Sequence, residues 1–350
     1  MKRVMNDPSG SHKSVPLISV IMPVYNGDKY IAEAIDSILS QTWKNLELVI
    51  CDDCSSDDSL AIARSYSAND QRVKLIRNIE NKGIADTLNL LIAETSGEFI
   101  ARMDADDACT PDRLEKQYHY MQTHNLDVCG SWIQNKHGFP AKVCYPISDD
   151  EIRFYMLFRP PFAHPSVMFR KTSITGVSYT HNPLIPEDYD LWSRLPAHLN
   201  LGNIPKILVY YRRHSAQSSG KKDAFRVERS NPVRSFYLQK LIPDASEVQS
   251  TIHLNLRRGK TFTRDELKEI QSWLTLLTRK FDNCKGCIHI LRDEWFHAIS
   301  GSSNEGPEIW KTYNKSGLLK YDKNAKTKVI LLWICCTLHI PYTNISRLFS

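Results

Sequence analysis

The 350-residue chain lacks a hydrophobic stretch long enough to cross a bilayer: its apolar run Val329 to Ile340 has twelve residues, against the ~20 that a spanning helix needs. That run reads as a buried helix or an interfacial anchor. Met1 to Pro16 is polar and has no apolar core, so no secretory signal is expected. Internal repeats and low-complexity tracts are also missing, which excludes solenoid and fibrous architectures. No nucleic-acid-binding motif occurs, nor a basic stripe interleaved with aromatics, so nucleic acid is not expected as a partner. The nine cysteines are odd in number and scattered, a pattern that suits a reducing compartment better than a disulfide scaffold.

What is present divides unevenly. The length allows one sizeable core plus a smaller module. Residues 1–200 carry 20 Lys and Arg against 26 Asp and Glu, a balance of −6, whereas residues 201–350 carry 25 against 13, a balance of +12. The basic last third also reads as helical. Thr263-Arg-Asp-Glu266 is a capping box, and Leu267, Ile270, Leu274, Leu277 and Phe281 line one face behind it. Lys323-Asn-Ala-Lys-Thr-Lys328 then precedes the apolar run, which suits an anionic membrane surface.

The first hundred residues alternate strand and helix. Ile18 to Val24 reads as a buried strand that breaks at Asn26-Gly27, and Ile31, Ala34, Ile35, Ile38 and Leu39 follow at helical spacing. A second strand, Leu46 to Asp53, ends in paired acids; Val73 to Ile76 makes a third, Ile84 to Ala93 a helix, and 99–103 a fourth strand. Such alternation predicts a mostly parallel sheet with helices on its faces. The run Phe99-Ile-Ala-Arg-Met-Asp-Ala-Asp-Asp107 ends in three carboxylates, and a helix is expected right behind it, with Thr110 as cap and Pro111 at its first position. Clustered carboxylates repel one another and persist where a cation offsets them. An Asp-x-Asp standing alone would instead read as a solvated turn. The polar clusters around Tyr25, Asp53 and Asp104/Asp106 all fall at carboxyl ends of strands, where open α/β sheets bind ligands, and should share one rim.

Taken in order, Pro23-Val-Tyr-Asn26, Val49-Ile-Cys-Asp-Asp53, Asn81-Lys-Gly83, Gly97 to Asp107, Pro111-Asp-Arg-Leu114, Glu187-Asp-Tyr-Asp-Leu-Trp192 and Tyr211-Arg-Arg-His214 resemble the motifs of the family-2 inverting glycosyltransferases with the GT-A fold. Bacterial surface-polysaccharide enzymes are the nearest context. The resemblance implies an α/β fold: a Rossmann-like, mostly parallel sheet flanked by helices over residues 16–219, behind a disordered N-terminus at 1–15. The resemblance does not reach residues 220–350; by their own charge and helical pattern these are expected to form a helical, basic region associated with membrane or acceptor.

The implied reaction is metal-dependent transfer of a hexosyl group from a nucleotide sugar, UDP-linked, to a hydroxyl of a glycan or lipid-linked acceptor in polysaccharide or lipopolysaccharide biosynthesis. Mn2+ or Mg2+ would neutralise the diphosphate leaving group. By the resemblance, Asp106 ligates that metal, and Asp104 holds the ribose or a metal-bound water. Pro23 and Tyr25 line the donor, with Tyr25 packed on the base, and Asp53 accepts a hydrogen bond from the uracil imide. Arg212 and His214 close over the phosphates, His214 as a further metal ligand. Inversion needs a base for the acceptor hydroxyl; Asp188 matches it, with Glu187 as the fallback because adjacent acids are not ranked by sequence.

Two departures stand out: Cys54 occupies a position usually held by glycine, and Leu88 one where many members carry arginine. Two other functions stay open. A nucleotide-sugar or glycan-binding module of the same fold, without turnover, would not need the base Asp188 beside Asp104, Asp106 and His214. A phosphatase with an Asp nucleophile would carry Thr or Val where Ala108 stands. The expected location is cytoplasmic, peripheral on the cytoplasmic face of the inner membrane.

Overall fold

The computed structural model describes residues 15–136, 141–212, 223–256, 260–317 and 326–343. The chain divides into two compact units: Met1–Ile147 with Phe162–Pro183 and Asp190–Gly220, and Ser148–Pro161 with Leu184–Tyr189 and Lys221–Ser350.

The first unit holds one mixed sheet. Its strands are β1 (Ile18–Val24), β2 (Leu46–Asp52), β3 (Val73–Arg77), β4 (Phe99–Arg102), β5 (Ala108–Cys109), β6 (Val128–Asn135), β7 (Ala141–Val143), β8 (Met168–Arg170) and β9 (Leu201–Tyr211). They lie in the order β3-β2-β1-β4-β8-β6-β9-β5, with β7 beside β6. β1 to β4 are mutually parallel where they pair. Every residue of β1 is buried, as expected for a strand covered on both faces. One cover is the helix Ile31–Leu39, which buries Ile31, Ala34, Ile35 and Ile38 at helical spacing. The expected strands and helices up to β4 form, with the second helix at Ile84–Ala93, and one more helix, Ser59–Asn69, which was not expected, completes the alternation between β2 and β3.

Beyond β4 the sheet changes character. β8 runs antiparallel to β4 and β6, β9 runs parallel to β6 with an irregularity around Trp132, and β5 is antiparallel to β9. The helix behind the acids is Arg113–Thr123, starting two residues later than expected. Thr110 is held in place by its N–H to Leu208 O, and its carbonyl receives Arg113 N, so 110–113 closes as a turn before the helix begins.

The second unit is helical among its described residues: Asp149–Tyr155, Asp223–Leu241, Glu247–Asn255, Arg264–Lys280, Lys285–Gly301, Pro307–Asn314 and Lys326–Leu338. The capping box at Thr263 and Glu266 forms with both of its bonds, and Leu267, Ile270, Leu274 and Leu277 are buried behind it. Cys284 and Cys287 are joined by a disulfide across the start of the helix Lys285–Gly301, while the other seven cysteines are thiols. One local bridge is thus present, but no scaffold of bridges. No helix among the described residues is long and apolar enough to cross a membrane.

Candidate active site

The parallel register places the carboxyl ends of β1, β2 and β4 side by side. Asp53 N donates to Val24 O at 2.7 Å, Met103 N to Ile21 O at 3.0 Å, and a methyl group on Gly27 would stand 3.8 Å from Ala105 Cβ. Three segments of the sequence therefore meet on one rim. Tyr25 leaves β1 there with 56% of its surface exposed, a flat ring open to a ligand.

Asp53 is buried beside it. Its Oδ1 accepts from Asn78 Nδ2 at 2.7 Å and from Lys82 N at 2.9 Å, and its Oδ2 accepts from Gly83 N at 2.9 Å. Gly83 has φ +82°, a left-handed conformation that favours glycine, so the Asn81-Lys-Gly83 motif exists to turn two amides onto this carboxylate. Asp53 thereby fixes the loop. With one partner among the described residues, Oδ2 retains a lone pair for a ligand N–H. Asp52 faces the turn, accepting Ser55 N at 3.2 Å.

Asp104, Asp106 and Asp107 follow β4, and their carboxylates offer oxygens that all lie within 4.8 Å of one another. Arg102, almost fully buried, forms an ion pair with Asp104. Buried Arg113 in turn donates to Arg102 O at 2.8 Å and to Gln117 Oε1 at 2.9 Å, bracing the end of β4 from behind. Burial, followed by the charges of Asp104 and Asp106, pushes the Asp107 carboxyl well above the usual carboxylate range. Its Oδ1 accepts from Arg212 N at 2.8 Å, but its Oδ2 is buried without a hydrogen-bond partner among the described residues. An orphaned buried carboxylate oxygen beside two further carboxylates is costly unless a cation completes it, and hard divalent ions take such oxygen donors. The donor set fits Mn2+ or Mg2+.

Arg212 lies at the end of β9. Its Nε donates to Asp106 O at 3.0 Å, a terminal nitrogen donates to Glu33, and the guanidinium stacks 4.5 Å above the Tyr30 ring. Glu33 also receives Lys136 Nζ at 2.9 Å, and that bond is the main reason its carboxyl titrates below the usual range. The sequence reading missed Glu33, Tyr30, Arg102 and Arg113. For Arg113 a signal existed in the Pro111-Asp-Arg-Leu114 motif; for Glu33 there was none, since it is one acid on a helix surface.

His214 lies outside the described residues. Glu187 and Asp188 open the helix Glu187–Arg194 and belong to the second unit; both are half-buried, and Asp188 Oδ1 accepts from Tyr189 N at 2.7 Å. Tyr189 is buried and donates its hydroxyl to Met156 O, which anchors the acids' main chain. Asp190 is engaged with Arg194 and Thr180. His164 is buried against the Tyr179 hydroxyl at 2.8 Å, and desolvation drives its pKa well below the usual value, a structural role.

Residues 19–172 match the family described as Glycosyl transferase family 2. A relative in Escherichia coli, the O-antigen biosynthesis glycosyltransferase WbnJ, is 34% identical over 241 residues, covering 66% of this chain and 93% of its own length. Another from Escherichia coli, the UDP-Glc:alpha-D-GlcNAc-diphosphoundecaprenol beta-1,3-glucosyltransferase WfaP, is 30% identical over 221 residues, covering 63% of this chain and 86% of itself. Among solved structures, S. aureus TarS in complex with UDP-GlcNAc superposes with a TM-score of 0.53 at 18% identity, over 90% of this chain and 89% of the other. That likeness supports the GT-A fold.

Proposed function

Because the chain belongs to glycosyl transferase family 2, we propose that it moves a sugar from a UDP-linked donor to a hydroxyl of a glycan or lipid-linked acceptor in surface-polysaccharide assembly. The carrying observation is the acidic turn behind β4, where the buried Oδ2 of Asp107 has no hydrogen-bond partner among the described residues and Asp104 and Asp106 stand beside it. WfaP, by its name a user of UDP-glucose and a diphosphoundecaprenol-linked acceptor, favours the same donor and acceptor classes here.

In this reading Asp104, Asp106 and Asp107 hold Mn2+ or Mg2+, with Asp104 also available to the ribose and His214 as a further ligand. The ion, when bound, would offset the charge that develops on the departing diphosphate. Pro23 and Tyr25 line the base, and Asp53 accepts its imide N–H while keeping the 78–83 loop in place. Arg212 reaches a phosphate oxygen by leaving Glu33. Asp188, or Glu187 beside it, takes the acceptor hydroxyl proton as that oxygen attacks the anomeric carbon; the bond to UDP breaks and the configuration inverts. Residues 16–219 would hold the donor and supply the base, and 220–350 would associate with the acceptor and the membrane surface that carries it.

A panel of nucleotide sugars, assayed for hydrolysis and for transfer with and without manganese, tests this. Turnover of UDP-sugars that stops on chelation is the expected result. Preference for another nucleotide would overturn the donor, and turnover indifferent to chelation would overturn the metal.

A further inference from the structure

We propose that the outward face of the helix Lys326–Leu338 is a docking surface for an anionic lipid bilayer. Its inward face is built into the second unit. Leu332, Cys335 and Cys336 are fully buried, Ser303 Oγ donates to Ile340 O at 3.0 Å and accepts from Tyr342 N at 2.9 Å, and the Tyr342 ring packs 5.4 Å from Phe296. The opposite face is apolar too. Ile330, Trp333 and Leu338 are 54%, 49% and 59% exposed, Ile334 is half-buried between them and Leu331 half-buried at their edge. At 100° per residue these side chains form one stripe, turned away from Leu332, Cys335 and Cys336. A helix that is apolar all round is ordinarily covered on all sides, and here the described residues of the unit cover only one.

Charge identifies the occupant. From Lys323 to Ser350 the sequence carries Lys323, Lys326, Lys328 and Arg347 and no Asp or Glu. An acid-free basic segment around an exposed Trp and aliphatic stripe complements an anionic interface, where indole rings settle at headgroup depth. Thirteen helical residues extend about 20 Å, short of the ~30 Å hydrocarbon core, so the helix lies in the plane of the interface. The surface rests on the proposed lipid-linked acceptor for its purpose but not for its test, because binding is measured without donor or acceptor.

The full chain is floated with vesicles of phosphatidylglycerol and phosphatidylcholine, and with pure phosphatidylcholine. Binding to the anionic vesicles that weakens as salt rises is expected. Ile330→Glu with Trp333→Glu should lower the partition at least about tenfold with an unchanged far-UV circular dichroism spectrum, since both positions face solvent. Trp333→Phe should keep binding. If the double variant misfolds, Leu338→Ser at the exposed helix end provides the comparison, with a loss of about threefold or more expected. Failure of the native chain to bind anionic vesicles at low salt overturns the proposal, as does equal binding by folded native and charged variants. So does a concentration-dependent dimer that the charged variant abolishes, which would assign the stripe to a second copy.

Discussion

The main-chain N–H of Arg212 donates to Asp107 Oδ1 at 2.8 Å, tying the end of β9 to the acidic turn behind β4. The antiparallel pairing of Ala108 with Tyr210 brings these distant stretches together, so the short strand β5 positions the acidic cluster as well as extending the sheet. Meanwhile the guanidinium of Arg212 is spent on Glu33, Asp106 O and the Tyr30 face. Reaching a phosphate would require exchanging one carboxylate for another anion.

That competition can be measured. Glu33→Gln removes the rival charge and should tighten UDP binding about fivefold by calorimetry, the scale of one partly exposed charge-assisted bond. Unchanged affinity would mean that Arg212 acts only through its main chain and never meets the diphosphate.

For the cation, Asp106→Asn and Asp107→Asn are expected to weaken manganese binding at least about tenfold each. Asp107→Asn keeps an acceptor for Arg212 N, so its thermal midpoint should stay near that of the native chain. Native manganese affinity in both variants would place the ion elsewhere.

Up to β4 most of the fold was legible because its elements announce themselves locally: β1 as an apolar run interrupted only by Ser19, the helix Ile31–Leu39 by its spacing, and the ends of β2 and β4 by their acids. The helix Ser59–Asn69 was not legible, since only Ser59 and Ala63 of it are buried and it shows no apolar stripe. Nor was the half built from β5 to β9. β5 has two residues and β8 three, and their pairing depends on partners far away in sequence, which no local period encodes. Within the candidate site the carboxylates were visible as motifs, yet their supports were not. Arg102 and Arg113 read as ordinary basic residues until burial shows them bracing β4. Asp53 matched a ligand position, and the structure adds that it holds the Lys82 and Gly83 amides. The unusual cysteine was legible as a departure, and its consequence is conformational.

Cys54 has φ +62°, a left-handed conformation in which a β-carbon crowds the backbone. Relief of that strain outweighs the extra chain entropy of glycine, so Cys54→Gly should stabilise the protein by roughly 0.5–1 kcal/mol. A urea midpoint that falls instead would show that the Sγ contact to Ile79 O at 3.6 Å matters more than the strain.

In the second unit, His253 is buried and neutral: Nε2 lies 2.8 Å from Leu157 O, and Nδ1 accepts from Trp273 Nε1 at 3.3 Å. Burial, then the Arg234 charge, lowers its pKa from 6.5 to about 3. The unfolded chain takes up a proton near pH 6.5 while the folded chain waits until about 3, so stability falls as pH drops through this window. His253 alone should cost about 2 kcal/mol by pH 5, and His297, lowered to about 4, adds a loss of the same sign. Denaturant midpoints from pH 7.5 to 5 would check it, with His253→Gln flattening the slope; a profile insensitive to that substitution would mean the histidine is already charged when folded.

The acid pair at 187–188 separates acceptor chemistry from donor binding. Tyr189, buried and bonded to Met156 O, fixes the main chain behind Asp188, so Asp188→Asn should leave the local fold intact. An amide can still accept the Tyr189 N–H but takes no proton from a hydroxyl at neutral pH. Transfer should therefore drop by about a thousandfold or more, while UDP-sugar affinity, read by calorimetry, stays within about twofold, because a base that acts on the acceptor contributes nothing to holding the nucleotide. Glu187→Gln distinguishes the neighbours, and it should retain most of the activity. Should the two variants exchange behaviour, Glu187 is the base; should Asp188→Asn lose donor affinity in step with activity, Asp188 belongs to the donor site and the base lies elsewhere.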